Sequence, residues 1–450
     1  MQNDTICALA TKTGGALGII RISGAQTLEI LSHIFTHDLT KAQANSIVYG
    51  HIVNHDEVID EVLVSVFRAP HSYTGEESAE ISCHGSQYII NKVIELLVAQ
   101  GCRIAQPGEY TQRAYLNGKL DLSQAEAVAD LIAANNKATH HLAMSQLRGG
   151  ISNELSKLRE QLLRLTSLLE LELDFSDHED LEFADRTELL QLAQYIESHI
   201  QKLATSFQMG QAIKQGIPVA IVGKTNVGKS TLLNKLLKEE RAIVSDIHGT
   251  TRDTIEDVMT INGVQFRFID TAGIRQTNDA VEQIGIERTY QTIDKARIVL
   301  WLIDATPSQE EFEDMMNHIN NKALILVCNK SDQQAITLSE DASRFPHIAV
   351  SAKFGINIEA LESLIYEAAQ IPEIKESDII ITNARHYEAL LHAQNNLSRV
   401  IAGLNSQLSG DLIAEDLRLV LSDLAEITGQ GQITPNEILG NIFQHFCIGK

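Results

Sequence analysis

The run Gly223-Lys224-Thr225-Asn226-Val227-Gly228-Lys229-Ser230 has the G-x-x-x-x-G-K-S spacing of a phosphate-binding loop. Its glycines let backbone N–H groups close around phosphate oxygens, and the start of a following helix adds a favourable dipole. Lys229 is expected to reach the β- and γ-phosphates, and the Ser230 hydroxyl to ligate magnesium. Further elements follow in order. Gly249-Thr250-Thr251-Arg252-Asp253 resembles a switch loop in which Thr251 adds a second hydroxyl to the metal. In Asp270-Thr271-Ala272-Gly273, the aspartate holds magnesium through its shell and the Gly273 N–H meets the γ-phosphate. In Asn329-Lys330-Ser331-Asp332, the last carboxylate can accept both N1–H and N2–H of guanine, a donor pair that adenine lacks. Ser351-Ala352-Lys353 brings a backbone N–H to the guanine O6. This order implies a GTP-binding domain.

These residues need a strand-ended scaffold. Ile217–Val222 reads as a buried strand feeding the loop, and Thr231–Leu237 as the helix that follows it. Asp257–Ile261 and Val264–Ile269 read as a hairpin turned by Asn262-Gly263. Hydrolysis needs a group to orient water. The residue after Gly273 is Ile274, which cannot, so Glu282 is the candidate, although pattern alone favours a cap or surface glutamate there. No arginine stands clearly as a finger; Arg252 and Arg275 are candidates for that role or for structural ion pairs only. A monovalent cation on the Asn226 side-chain oxygen is another way to meet transition-state charge.

Before the nucleotide segment, residues 1–118 read as α+β. The strand candidates are Leu17–Ile22, Val62–Phe67 and Ala79–Ser82, and a helix covers Ser86–Ala99. Arg21 and Glu80 interrupt apolar runs; pattern alone makes them edge-strand charges facing water. From 119 the chain turns helical. Ser123-Gln124-Ala125-Glu126 reads as a capping box opening a helix to Ala134. Ile151, Leu155, Leu158, Leu162, Leu165 and Leu169 form a bundle seam, and another helix covers Thr187–Phe207. Asp174–Asp185 reads as a solvated acidic loop or helix end in preference to a metal site, for which no spacing speaks. Helix resumes after Pro372, with Ile413, Leu417, Val420, Leu424 and Ile427 on one face and a capped last helix at Thr434–Glu437. The simplest architecture is a multidomain α/β chain: residues 1–118, a helical domain of 119–211 and 372–450, and a Ras-like P-loop domain, 212–371, inserted into it with a parallel-rich sheet and helices on both faces.

The formal net charge of −23 disfavours unaided nucleic-acid binding, which relies on clustered Lys and Arg. Five cysteines without a C-x-x-C pair suggest a reducing compartment. No apolar run is long enough for a bilayer and no leader-like start is seen, so a cytoplasmic protein without membrane association is expected. Cys447 is a reactive thiol if its pKa is lowered, and a small packing residue otherwise.

The whole chain resembles the MnmE (TrmE) family of tRNA-modification GTPases. The resemblance rests on the domain order, Gly249–Asp253, the Asp-Thr-Ala-Gly-Ile-Arg run through Glu282, and the ending Cys447-Ile448-Gly449-Lys450. It implies nucleotide contacts along Asn226, Val227, Gly228, Lys229, Ser230 and Thr231. Further contacts run along Ser245, Asp246, Ile247, His248, Gly249, Thr250 and Thr251, with Asp270–Gly273, Asn329, Lys330, Asp332 and Ser351–Lys353 completing them. It implies potassium held by Asn226, Ser245, Ile247 and Thr250, nucleotide domains that pair across that ion, and Glu282 orienting water. The first domain would be tetrahydrofolate-binding-like and make a constitutive homodimer, with Arg21, Glu80, Lys119 and Lys450 on 5-formyltetrahydrofolate or a related tetrahydrofolate. The flavoprotein MnmG would be the partner in a heterotetramer, and C5 of the wobble uridine in certain tRNAs the target. The alternative is a regulatory GTPase of ribosome assembly. Such proteins usually carry a basic RNA-binding appendage, which is not visible here, and folate binding would separate the two.

Overall fold

Alternation of apolar and polar residues along Glu57–Phe67 puts Val62, Val64 and Val66 on one side of a strand, and all three are buried. In the computed structural model, residues 4–174, 186–238, 257–269, 290–319, 322–371 and 378–429 are described, with Phe443, Phe446 and Gly449. The chain divides into two compact units. One comprises Met1–Ala133, Ala143–Ile200 and Glu388–Lys450; the other comprises Ala134–Leu142 and Gln201–Tyr387.

The first unit holds a sheet of β1 (Ile6–Leu9), β2 (Leu17–Ser23), β3 (Ser46–Asn54), β4 (Glu57–Phe67), β5 (Ser78–His84) and β6 (Arg103–Ile104). Their spatial order is β3-β4-β5-β2-β1-β6. Helices α1 (Thr27–Ser32) and α2 (Gln87–Ala99) contribute Leu28, Leu31, Ile90, Val93 and Leu97 to a core with Ile20, Ile22 and the β4 valines. Each fully buried aliphatic side chain there contributes roughly 1.5–3 kcal/mol relative to exposure. β2 and β5 are interior strands, so Arg21 and Glu80 are not edge charges. They are direct cross-strand partners, which one strand's pattern cannot reveal.

The unit continues through α3 (Glu109–Leu116) and α4 (Leu122–Ala133). The box that opens α4 is not the expected Ser123–Glu126. Asp121 Oδ1 accepts the Gln124 N–H at 2.9 Å, and Gln124 Oε1 accepts the Asp121 N–H at 3.0 Å. Ser123 instead lies inside the helix, its hydroxyl bound to Asp121. The chain then forms α5 (Lys137–Leu147), α6 (Gly150–Asp174) and α7 (Arg186–Gln215). All six seam residues of α6 from Ile151 to Leu169 are buried. Almost all of the acidic stretch, residues 175–185, and the expected cap at Thr434–Glu437 lie outside the described residues.

At the β1–β6 edge of the first sheet, Arg113 bonds Asp4 Oδ1 at 2.8 Å and Glu109 Oε1 at 3.0 Å, and Arg103 also pairs with Glu109. Burial alone would raise the Glu109 carboxyl, but Arg103, the Gln106 N–H and Arg113 outweigh it and hold it below its ordinary range. A depressed folded pKa stabilises above the ordinary carboxylate value, and that contribution is lost as pH falls through the folded value. The thermal midpoint of the full chain should therefore drop as pH falls below about 4. Glu109→Gln should lower the neutral-pH midpoint and weaken that acid dependence. An unchanged acid profile in a melting series would count against the network as its source.

The second unit is doubly wound. β7 (Ile217–Val222), β8 (Asp257–Ile261), β9 (Val264–Phe268), β10 (Ile298–Ile303), β11 (Ala323–Cys328) and β12 (His347–Ala349) lie in the order β12-β11-β10-β7-β9-β8. Every neighbouring pair is parallel except β8·β9. Ile298, Leu300 and Leu302 pack with α8 (Lys229–Lys238) and α10 (Ile358–Ala368). Val299, Trp301 and Ile303 pack on the opposite face with Phe312, Met315 and Met316 of α9 (Gln309–His318). Burial on both faces explains why β10 is apolar throughout rather than alternating. The β8–β9 turn uses Asn262 at φ 50° and Gly263 at φ 79°, as a two-residue type I′ hairpin requires. The Gly263 carbonyl accepts the Ala138 N–H of α5 at 3.0 Å, and Leu142 packs with Ile213 and Ile380. Those contacts give Ala134–Leu142 to this unit. Helices α11 (Ala384–Asn405) and α12 (Gly410–Thr428) follow, and α12 buries Ile413, Leu417, Val420, Leu424 and Ile427 as its spacing predicts.

Candidate functional site

β7 delivers the chain to Gly223, whose φ is +149° and where a Cβ would lie 2.3 Å from Leu302 O. Asn226 at φ 62° and Gly228 at φ +105° complete a left-handed path around the loop. The helix α8 begins at Lys229, so the N–H groups of its first turn face the loop. Lys229 Nζ donates to Gly223 O at 2.6 Å and Lys224 O at 2.7 Å, and burial lowers its pKa. The ammonium is thus held by two loop carbonyls, with which an entering phosphate would have to compete. Val227 is buried, and Asn226 is exposed with no side-chain hydrogen bond among the described residues. Ser230 and Thr231 occupy the first turn of α8.

The end of β11 carries the residues expected to read the base. Asn329 Nδ2 donates to Val227 O at 2.8 Å, while Asn329 Oδ1 accepts the Ala352 N–H at 3.0 Å. One buried amide therefore joins the phosphate loop, the Asn329–Asp332 turn and the Ser351–Lys353 turn. A Cβ on Gly228 would lie 2.3 Å from that amide nitrogen, so only glycine allows the approach. Ser351 Oγ donates to Asp332 Oδ1 at 2.5 Å and fixes the carboxylate. Lys330, at φ 63°, pairs with Asp304 Oδ2 at 2.6 Å. Lys353 Nζ lies 5.3 Å from the Phe354 ring centroid.

Two supporting residues escape the sequence reading. Asp304 follows the apolar run of β10, as Asn329 follows that of β11, and that placement is the signal that could have found it. Glu311 closes the capping box of α9 with Ser308 and pairs with Lys224 of the phosphate loop. Ser245, Asp246, Ile247, His248, Gly249, Thr250, Thr251, Asp270, Thr271, Ala272, Gly273 and Glu282 lie outside the described residues, as do Cys447 and Lys450.

In the first unit, Arg21 Nε donates to Glu80 Oε1 at 2.9 Å and Nη1 to the Gly449 carbonyl at 3.2 Å. Gly449 has φ +92°, and a Cβ there would lie 2.4 Å from Leu9 O. Lys119 Nζ donates to Pro70 O at 3.0 Å. The Arg21 guanidinium lies 5.6 Å from the ring centroids of both Tyr73 and Tyr110, neither singled out by the sequence. Cys7, Cys83, Cys102 and Cys328 are buried and free. Among the described residues no group of three or more His, Cys, Asp or Glu is placed to hold a metal, and no helix is long and apolar enough to cross a membrane.

A family model for the MnmE helical domain matches residues 122–447, and one for the GTP-binding protein TrmE N-terminus matches residues 5–119. The tRNA modification GTPase MnmE of Phocaeicola vulgatus is 55% identical, the alignment covering 100% of this chain and 99% of that protein. The protein of the same name from Bacteroides thetaiotaomicron is 54% identical, covering 100% of both chains.

The chain belongs to the MnmE family of tRNA modification GTPases. The resemblance drawn from the domain order, Gly249–Asp253, the Asp270–Glu282 run and the C-terminal residues is therefore upheld along the full length. The MnmE fold class expected from the sequence is upheld with it: an N-terminal α+β part, a helical part and a parallel-rich P-loop sheet covered on both faces.

Proposed function

We propose that the chain hydrolyses GTP in a potassium-activated manner and, with the flavoprotein MnmG, installs an aminomethyl or carboxymethylaminomethyl group at C5 of the wobble uridine of certain tRNAs. The observation that carries the GTPase reading is the double hydrogen bond of Asn329, which joins the phosphate loop to the base-reading turns. With Asp332 fixed by Ser351, the pocket has the acceptor that guanine's paired donors need.

Lys229 binds the β- and γ-phosphates and Asp332 the base. Ser230 and Thr251 would hold magnesium, which neutralises phosphate charge when bound. Asn226, Ser245, Ile247 and Thr250 would hold potassium, which supplies the positive charge that an arginine finger supplies elsewhere. Glu282 orients the attacking water. Arg21, Glu80, Lys119 and Lys450 hold a tetrahydrofolate one-carbon donor. The chain acts as a homodimer in the cytoplasm, and the flavoprotein provides much of the tRNA contact, which accords with the net charge of −23.

GTP turnover by the full chain should rise at least about tenfold in potassium chloride over sodium chloride at equal ionic strength. Asn226→Ala should abolish the difference, and Glu282→Ala should depress turnover in both salts. Equal rates in the two salts would remove the potassium mechanism while leaving the GTP site.

A further inference from the structure

We infer that Tyr73 is the stacking platform for the pterin ring of the folate bound at Arg21 and Glu80, an inference that rests on the folate reading of that site. The loop carrying Tyr73 is fixed at many points. Ser72 Oγ donates to Glu76 O at 2.6 Å, and Thr74 Oγ1 meets Ser23 Oγ at 2.7 Å. Asn117 Nδ2 donates to Thr74 O at 2.7 Å, and Lys119 Nζ holds Pro70 O. Ser72 and Thr74 are buried, whereas Tyr73 between them is 40% exposed. Its own hydroxyl is held by Thr111 Oγ1 at 2.9 Å. The ring is therefore pinned at both ends and still open to solvent.

A pinned ring loses little conformational freedom when a ligand covers it. A tyrosine that served only to pack would gain more by burial, as Tyr110 does on the same guanidinium at 0% exposure. Position adds to this. Tyr73 stands on the loop that joins the Lys119 contact to the Arg21–Glu80 pair, within 5.6 Å of the Arg21 guanidinium carbon. A pterin edge offers an amino group and an N–H to a carboxylate and a carbonyl oxygen to a guanidinium. With its edge on Glu80 and Arg21, such a ring presents its face to the neighbouring aromatic side chain.

The test is calorimetric titration of the full chain with 5-formyltetrahydrofolate. Tyr73→Leu keeps apolar bulk without a π face and should weaken binding about tenfold or more. Tyr73→Phe should stay within about threefold of the unsubstituted chain. GTP turnover should be unchanged in both. Equal affinity in Tyr73→Leu, or Tyr73→Phe as weak as Tyr73→Leu, would overturn the inference and leave the folate reading standing. No binding by the unsubstituted chain would instead overturn the folate reading, and the inference with it. A second measurement needs no variant. A tetrahydropterin fragment should protect Tyr73 from nitration, followed by peptide mass spectrometry, and p-aminobenzoylglutamate should not. Unprotected Tyr73, or protection by the second fragment alone, would overturn the pterin assignment.

Discussion

Asp332→Asn should convert a guanine-selective pocket into a xanthine-selective one. The Asp332 carboxylate is oriented by Ser351 Oγ at 2.5 Å and offers acceptors only. Guanine presents two donors to it. Hydrogen bonds to a charged group contribute about 1.5–3 kcal/mol each, so losing the match should lower kcat/KM for GTP by roughly 10²–10⁴-fold. An asparagine at this position pairs an acceptor and a donor with the N1–H and C2 carbonyl of xanthine. Xanthosine triphosphate turnover should rise as GTP turnover falls. Steady-state kinetics with both nucleotides decide it. A variant that loses GTP turnover and gains none with the xanthine nucleotide would mean that the turn had collapsed, and Asp332 would then be a structural group.

The second large effect is expected at Lys229. Its ammonium now bonds Gly223 O and Lys224 O inside the loop, and burial already disfavours its charge. A bound phosphate would replace these neutral acceptors with anionic ones, and bonds between two charged groups are the stronger. Lys229→Ala removes the positive charge from the β- and γ-phosphates. By analogy with deleting one transition-state donor, turnover should fall on the order of 10²–10³-fold. Binding of guanosine alone should persist, because Asn329, Asp332 and Ser351 are untouched. Loss of guanosine binding as well would mean that Lys229 holds the loop's shape.

What the sequence discloses about this chain follows from how local each signal is. The phosphate loop is legible because its glycines answer local demands: Gly223 and Gly228 occupy positive φ where a side chain would strike Leu302 O or Asn329. The two turns expected to read guanine are legible because polar residues end apolar strands. The β8–β9 hairpin is legible from Asn262-Gly263 alone.

Pairings across the chain are not. Arg21 and Glu80 look like edge charges until the strand order places β2 beside β5. Tyr73 and Tyr110 converge on Arg21 from a loop and from α3, and no spacing encodes that meeting. The α4 cap moved from Ser123 to Asp121 because two overlapping sequences, Asp121–Gln124 and Ser123–Glu126, both satisfy the pattern. Asp121 and Gln124 form the reciprocal pair, and the Ser123 hydroxyl is taken up by Asp121 Oδ1.

The attachment of Ala134–Leu142 to the nucleotide-binding unit bears on how this protein can be dissected. A fragment cut at the ends suggested by the sequence, 212–371, would leave that short strap behind. The Gly263 carbonyl at the hairpin tip would then give up the Ala138 N–H and turn to water. Leu142, Ile213 and Ile380 form one small apolar cluster, and only Ile213 of the three lies within those ends. Kinetic behaviour of such an excised piece would report a hairpin lacking its natural anchor, and that hairpin joins the two segments expected to respond to the γ-phosphate.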